Sequence, residues 1–165
     1  DPGFAAVQLT IAAASAGFLV HNFPPAKIFL GDVGSTALGF LAAASSLWGS
    51  GAGLFPFWAA LGVFSPFIVD ATTTLLRRLA RGERIWEAHR SHYYQRLVLL
   101  GWGHRRTVLA EYLLMLACAG CTVLAVHLPP QDALLLGIGG AGVYGLLMGG
   151  VGWLERRSAQ ARRGG

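Results

Sequence analysis

Charge is what this sequence has least of. Only 13% of its 165 residues are Asp, Glu, Lys or Arg and 54% are hydrophobic, whereas soluble domains carry about a quarter charged residues. That balance excludes an ordinary soluble domain and points to the membrane. Cysteine is nearly absent as well. Cys118 and Cys121 form the sole C-x-x-C, inside an apolar run without a strand–helix redox context, so they read as small packing residues. The sequence has neither the charged n-region nor the cleavage site of a signal peptide and opens on Asp1, so it reads as a piece of a longer protein. No repeat or low-complexity tract stands out.

Long apolar runs are what it does have. Five of them, at 4–20, 36–50, 54–76, 107–126 and 133–154, approach the roughly 20 residues a helix needs to cross about 30 Å of hydrocarbon. The expected fold is all-α, a polytopic integral membrane helical bundle of about five transmembrane helices. Run 36–50 is the shortest, and at about 1.5 Å per residue it falls short of the bilayer, so its helix is expected to start inside a recess or to border a thinned, wet cavity. The glycines of "GIGGAG" at 137–142 fit a dinucleotide fingerprint only formally, because no strand precedes them. Gly145 and Gly149 suit small-xxx-small helix packing instead.

All thirteen basic residues fall within 21–35, 77–106 and the tail at 155–165, and the connections 51–53 and 127–132 carry none. The positive-inside rule therefore places the three basic regions and the C-terminus in the cytoplasm. The net charge of +5 marks topology and no nucleic-acid partner. Asp70, in "SPFIVDATTTLLRR", interrupts an apolar run, where a central carboxylate costs about 2.5–3.5 kcal/mol on insertion scales. Two readings stay open: pairing near the interface with Arg77, two turns along the same face, or exposure to a polar cavity.

Two connections carry the chemistry. In "NFPPAKIFLGDVGST", Gly31 and Gly34 relax the backbone around Asp32, and Ser35 or Thr36 is placed to cap the next helix. Free amides at a helix N-terminus favour an anion, and Asp32 can hold Mg²⁺, with Mn²⁺ as the alternative, beside substrate phosphates. Lys27 adds a cation. The plain alternative is a polar turn between helices.

In "RRLARGERIWEAHRSHYYQRLVLLGWGHRRT" a helix over 85–100 would put His89, His92 and Arg96 at i, i+3 and i+7, on one face that could grip an anion. Alternatively its arginines meet anionic headgroups, with Trp86, Tyr93 and Tyr94 as aromatic anchors. A zinc site would need a third ligand that the spacing does not supply.

"PAKIFLGDVGS", "PFIVDATTTLLRR" and "HRSHYYQRLVLLGWGHRRTVL" resemble, in order and spacing over residues 4–126, three elements of the polyprenyl-phosphate N-acetylhexosamine-1-phosphate transferases. These are the P-A-x-x-F-M-G-D-x-G-S element, the P-x-x-D-T helix ending in R-R, and the histidine-bearing cytoplasmic loop. The resemblance implies transfer of HexNAc-1-phosphate from a UDP-sugar to undecaprenyl phosphate, releasing UMP and initiating a lipid-linked glycan at the bacterial inner membrane. It implies that Asp32 is the catalytic, metal-associated aspartate and that His92 is the first histidine of an H-x-H-H pattern. Lys27, Gly34, Ser35, His89, Arg90 and Arg96 join His92 as expected substrate-binding residues.

Tyr94 and Gln95 stand where that pattern has its other histidines, and His89 where many members have an aspartate. "AHRSHYYQRL" looks like the O-antigen branch that uses 6-deoxy-HexNAc sugars, so the donor is UDP-N-acetylhexosamine or a 6-deoxy derivative. The family's D-D-x-x-D and N-x-x-D-G motifs are missing. The chain thus resembles the C-terminal half of a larger enzyme, expected to be inactive without its N-terminal half. The oligomeric state stays open between monomer and homodimer. The rival from another class is a non-enzymatic membrane module or transporter fragment whose basic loops bind the anionic lipid bilayer.

Overall fold

The computed structural model describes residues 1–84 and 92–163, with side chains through residue 160. Residues Asp1–Ala60 and Leu61–Gly165 form two compact units. In the first, α1 (Pro2–Asn22) starts where the Asp1 carboxylate accepts the Phe4 amide at 3.0 Å and Pro2, with no N–H to leave unsatisfied, opens the helix. It stops ahead of Pro24 and Pro25, which cannot continue a helix. Within the connection, the Asn22 side chain donates to the Ile28 carbonyl and the Lys27 N–H to that of His21, each at 2.9 Å. α2 (Gly31–Gly51) packs near its C-terminal end on the start of α1. There Phe4 meets Trp48 edge-on at 5.2 Å, and a Cβ on Gly49 would lie 2.5 Å from the Phe55 ring.

The run expected at 54–76 is broken. α3 (Phe57–Val63) and α4 (Ser65–Ala80) meet at Phe64 with a 74° bend. Pro66 is the cause, since it has no N–H and its ring clashes with the carbonyl four residues back, Gly62. Ser65 Oγ donates to that carbonyl at 2.7 Å and replaces the lost bond. The second unit continues with α5 (Tyr93–Leu97), a π-helical turn at Val98–Trp102, α6 (His104–Val126) and α7 (Pro130–Arg163). Gly101 (φ 95°) and Gly103 (φ 74°) flank Trp102 in conformations that residues bearing a Cβ rarely adopt.

Among the described residues α1, α6 and the Pro130–Gln160 part of α7 are long and apolar enough to cross a membrane, and the bent α3–α4 pair makes a fourth if it is one span. Five were expected. The difference lies in α2, which at 21 residues is longer than the expected 36–50 but is diluted by glycine and serine.

Burial is inverted relative to a soluble protein. Phe40 is 71% and Leu146 78% exposed, while the buried residues are small or polar, among them Ala125, Thr107, Thr122, Arg78 and Arg96. Lipid is as apolar as leucine, so a membrane bundle gains little by hiding leucine and packs through small and polar groups. The chain is an all-α membrane protein. Close approach occurs where a Cβ on Gly62 would fall 2.5 Å from the Thr122 hydroxyl, whereas Gly145 and Gly149 have no such neighbour within 4 Å.

Candidate functional site

The G-D-x-G-S stretch is the first turn of α2. Gly31, at φ 66°, takes a left-handed conformation open mainly to glycine, and Leu30 is the N-cap, with no side-chain capping bond. Ser35 Oγ donates to the Asp32 carbonyl at 3.2 Å within the turn. Ser35 and Thr36 are therefore not caps, as expected from the sequence, because the helix begins earlier than the apolar run. The first-turn amides thus lack a side-chain acceptor at the positive end of the helix dipole. Gly34 lets Leu30 fold back over this turn, since a Cβ there would meet the Leu30 side chain at 2.6 Å.

Asp32 and Lys27 are exposed, and neither charged group has a hydrogen bond or ion pair among the described residues. No cluster of three His, Cys, Asp or Glu side chains that could hold a metal occurs among the described residues. Asp32 fits Mg²⁺ as one ligand of several, because Mg²⁺ at phosphate sites takes one or two carboxylates and completes its shell with substrate oxygens and water.

The histidine loop is built differently. His92 is extended (φ −61°, ψ 147°) and only Tyr93 begins α5, so the helix expected over 85–100 does not pass through His92, and its part at 85–91 lies outside the described residues. His89 and Arg90, with Trp86, lie outside the described residues. Asp70 reaches across from α4. Its Oδ1 accepts the Tyr93 N–H at 3.0 Å and the Thr74 hydroxyl at 3.1 Å, and its Oδ2 lies 3.5 Å from His92 Nδ1. Arg77, the expected partner of Asp70, instead donates to the Tyr93 hydroxyl at 3.3 Å.

Tyr93, expected as a lipid anchor, carries two cations over its ring, Arg77 at 5.6 Å and Arg96 at 4.3 Å. Tyr94 is partly exposed and stacks on His92 at 5.9 Å. Arg96 is buried and grips Glu155 of α7 with two bonds of 2.5 Å. Glu155 foremost, and then the Tyr93 hydroxyl, hold its guanidinium above the ordinary range despite burial. Through Nε and Nη2 this cation is a latch between α5 and α7, while its buried Nη1 has no hydrogen-bond partner among the described residues.

Asp70 and Tyr93 also border a cavity of about 530 Å³ whose other ionisable groups are Glu111 and Tyr144 and whose walls are leucine-rich faces of α6 and α7. Asp70 is thus both paired and cavity-lining. Glu111 was missed: sequence reasoning took Asp70 as the one interruption of the apolar runs, although Glu111 stands plainly inside 107–126. Its carboxylate has no hydrogen bond or ion pair among the described residues.

Residues 2–50 match glycosyl transferase family 4. Decaprenyl-phosphate N-acetylglucosaminephosphotransferase of Mycobacterium tuberculosis is 31% identical over 155 residues, covering 86% of this chain and 38% of that protein. The probable undecaprenyl-phosphate N-acetylglucosaminyl 1-phosphate transferase of Bacillus subtilis is 36% identical over 110 residues, 66% of this chain and 31% of its own length. Phospho-N-acetylmuramoyl-pentapeptide-transferase of Picosynechococcus sp. is 32% identical over 125 residues, 70% of this chain and 32% of its own length. The chain therefore spans between 31% and 38% of these relatives. No solved structure gives a significant match.

Proposed function

This chain belongs to the polyprenyl-phosphate N-acetylhexosamine-1-phosphate transferases of glycosyl transferase family 4, and from that premise we propose that it is the C-terminal membrane portion of such an enzyme. The reaction moves HexNAc-1-phosphate from a UDP-sugar to undecaprenyl phosphate. An oxygen of the lipid phosphate attacks the β-phosphorus, the phosphoanhydride bond to the α-phosphate breaks, and UMP leaves with the electron pair. The observation that carries this reading is similarity over 86% of the chain to a protein named for this chemistry.

Two anions must meet in line, so catalysis rests on position and on offsetting charge. The first-turn amides of α2, those of Gly34 and Ser35 among them, and the Lys27 ammonium would bind phosphate oxygens. They suit that task because nothing in the described protein competes for the Lys27 charge or caps that turn. Bound Mg²⁺ would supply further neutralisation of the phosphates. Asp32 would be its ligand from this chain, and carboxylates of the N-terminal half would complete the set. His92, with His89 and Arg90, would hold the donor diphosphate or sugar. The glycan is read as O-antigen or similar, built from a 6-deoxy-HexNAc, at the inner membrane with the basic regions cytoplasmic.

The test uses the intact enzyme in detergent with UDP-N-acetylglucosamine, UDP-N-acetylgalactosamine and their 6-deoxy counterparts as donors. Undecaprenyl phosphate should elicit UMP release that EDTA stops and Mg²⁺ restores, while the 165-residue chain alone releases none. Absence of UMP release from every donor would remove the transfer reading. Turnover by the isolated chain would remove the half-enzyme reading.

A further inference from the structure

We propose that Asp70 is a positioning residue for the transfer reaction, acting through His92. The inference rests on the transferase reading for its purpose and on geometry for its content. A carboxylate in the α3–α4 hydrophobic run is costly to insert, and here its two oxygens divide a task. Oδ1 takes the first backbone N–H of α5 and is steadied by Thr74 one turn along its own helix, while Oδ2 faces the His92 imidazole at ion-pair distance.

α5 has five residues, too few for a helix to persist by itself; Gln95 Oε1 ties its start from within by accepting the His92 N–H at 3.3 Å, and a second tie comes from outside. Asp70 supplies that from α4, a helix of 16 residues. The far side of α5 is held by the Arg96–Glu155 pair and by Arg77 on Tyr93. Of the charged groups that meet this loop, Arg77 and Arg96 lie over Tyr93 and Glu155 is engaged with Arg96. Glu111 of α6 borders the cavity beside Asp70. Asp70 Oδ2 is a carboxylate oxygen within reach of the imidazole. A carboxylate set against both the ring and the peptide after it constrains how the His92 imidazole is oriented. This is the outer partner that a phosphate-binding histidine needs to keep one orientation.

The test is a double-mutant cycle in the intact enzyme, with Asp70→Asn, His92→Gln and both together. Asn keeps an acceptor for the Tyr93 N–H and removes the charge facing the ring. With the donor that the wild type turns over, kcat/KM should fall about 10–100-fold in Asp70→Asn, as for other carboxylates behind a working histidine. It should fall no further when His92 is already Gln, because coupled residues are not additive. Thermal unfolding of the same four proteins should also be non-additive, whether or not any donor is turned over.

Additive losses of turnover would overturn the positioning role. Additive Tm changes would overturn the pair itself. Coupled Tm values with no UMP release from any donor would uphold the pair and remove the transferase reading instead. If Asp70→Asn does not accumulate, Asp70→Glu completes the cycle and is judged by the same two criteria.

Discussion

The first turn of α2 and the loop at His92 hold the two sets of candidate site residues, and they follow opposite plans. In the first, Asp32 and Lys27 are exposed and no side chain caps the helix. In the second, Asp70, Tyr93, Arg96 and Glu155 are bound to one another across three helices. Groups left uncommitted suit a ligand whose charge arrives from outside. Groups already committed cannot neutralise that ligand as well, but they can hold one neighbour in place. Charge and orientation, both needed when two phosphates meet, are thus assigned to different parts of the chain.

The sharpest way to break this contrast is Asp32→Asn in the intact enzyme. Mg²⁺-dependent UMP release should drop by at least about 100-fold, since a directed charge at a reacting phosphate is worth about 3–4 kcal/mol. Thermal stability should hold to within about 0.5 kcal/mol, because an exposed side chain without partners supports little. Near-normal turnover at every Mg²⁺ concentration would reduce the turn to a connection.

Glu155→Gln should give the reverse pattern. It removes half of a pair whose arginine side chain is 8% exposed but whose carboxylate is 37% exposed. The 3–5 kcal/mol cost of breaking a fully buried pair is therefore screened to about 1–2 kcal/mol, read as a Tm loss of a few degrees. Turnover should fall less than about tenfold, by loosening the His92 loop. Replacing both partners, as Arg96→Met with Glu155→Leu, should recover most of the stability. A larger effect on UMP release than Asp32→Asn causes would reverse the two assignments.

The mildest intervention alters no residue. A reporter fused after Gly165 should read cytoplasmic, and one inserted at 127–132 periplasmic. The opposite result would overturn the span assignment.

The helical membrane character was legible because it depends on run length and composition, which are local. The start of α2 was misjudged because 31–36 is polar, and a run defined by apolarity begins after it. A first turn at a membrane boundary accepts Asp and Gly readily, since the dipole favours a carboxylate there. The break at Phe64 was present in Pro66, yet the residues around it are as apolar as a straight span. The histidine loop was least legible. Its geometry depends on Asp70 meeting Tyr93 from 23 residues away and on Glu155 meeting Arg96 from 59 away, and no spacing rule reports such meetings. The motif residues were visible, while their division into free and engaged groups was not.

The bend at Phe64 has a consequence for inheritance. The Ser65 proton is spent on the Gly62 carbonyl, so the 2.9 Å contact with Tyr144 must be donated by the tyrosine, and the 3.1 Å contact from Cys118 by its thiol. The proline on one helix has thereby created an obligation that descends through a serine to a phenol on α7 and a thiol on α6. Replacing Pro66 would return an N–H to the Gly62 carbonyl and release the Ser65 hydroxyl from it, so Ser65 and Tyr144 are expected to be kept together wherever Pro66 is kept. A glycine-rich helix would then retain its inward-facing tyrosine because of a neighbour's kink.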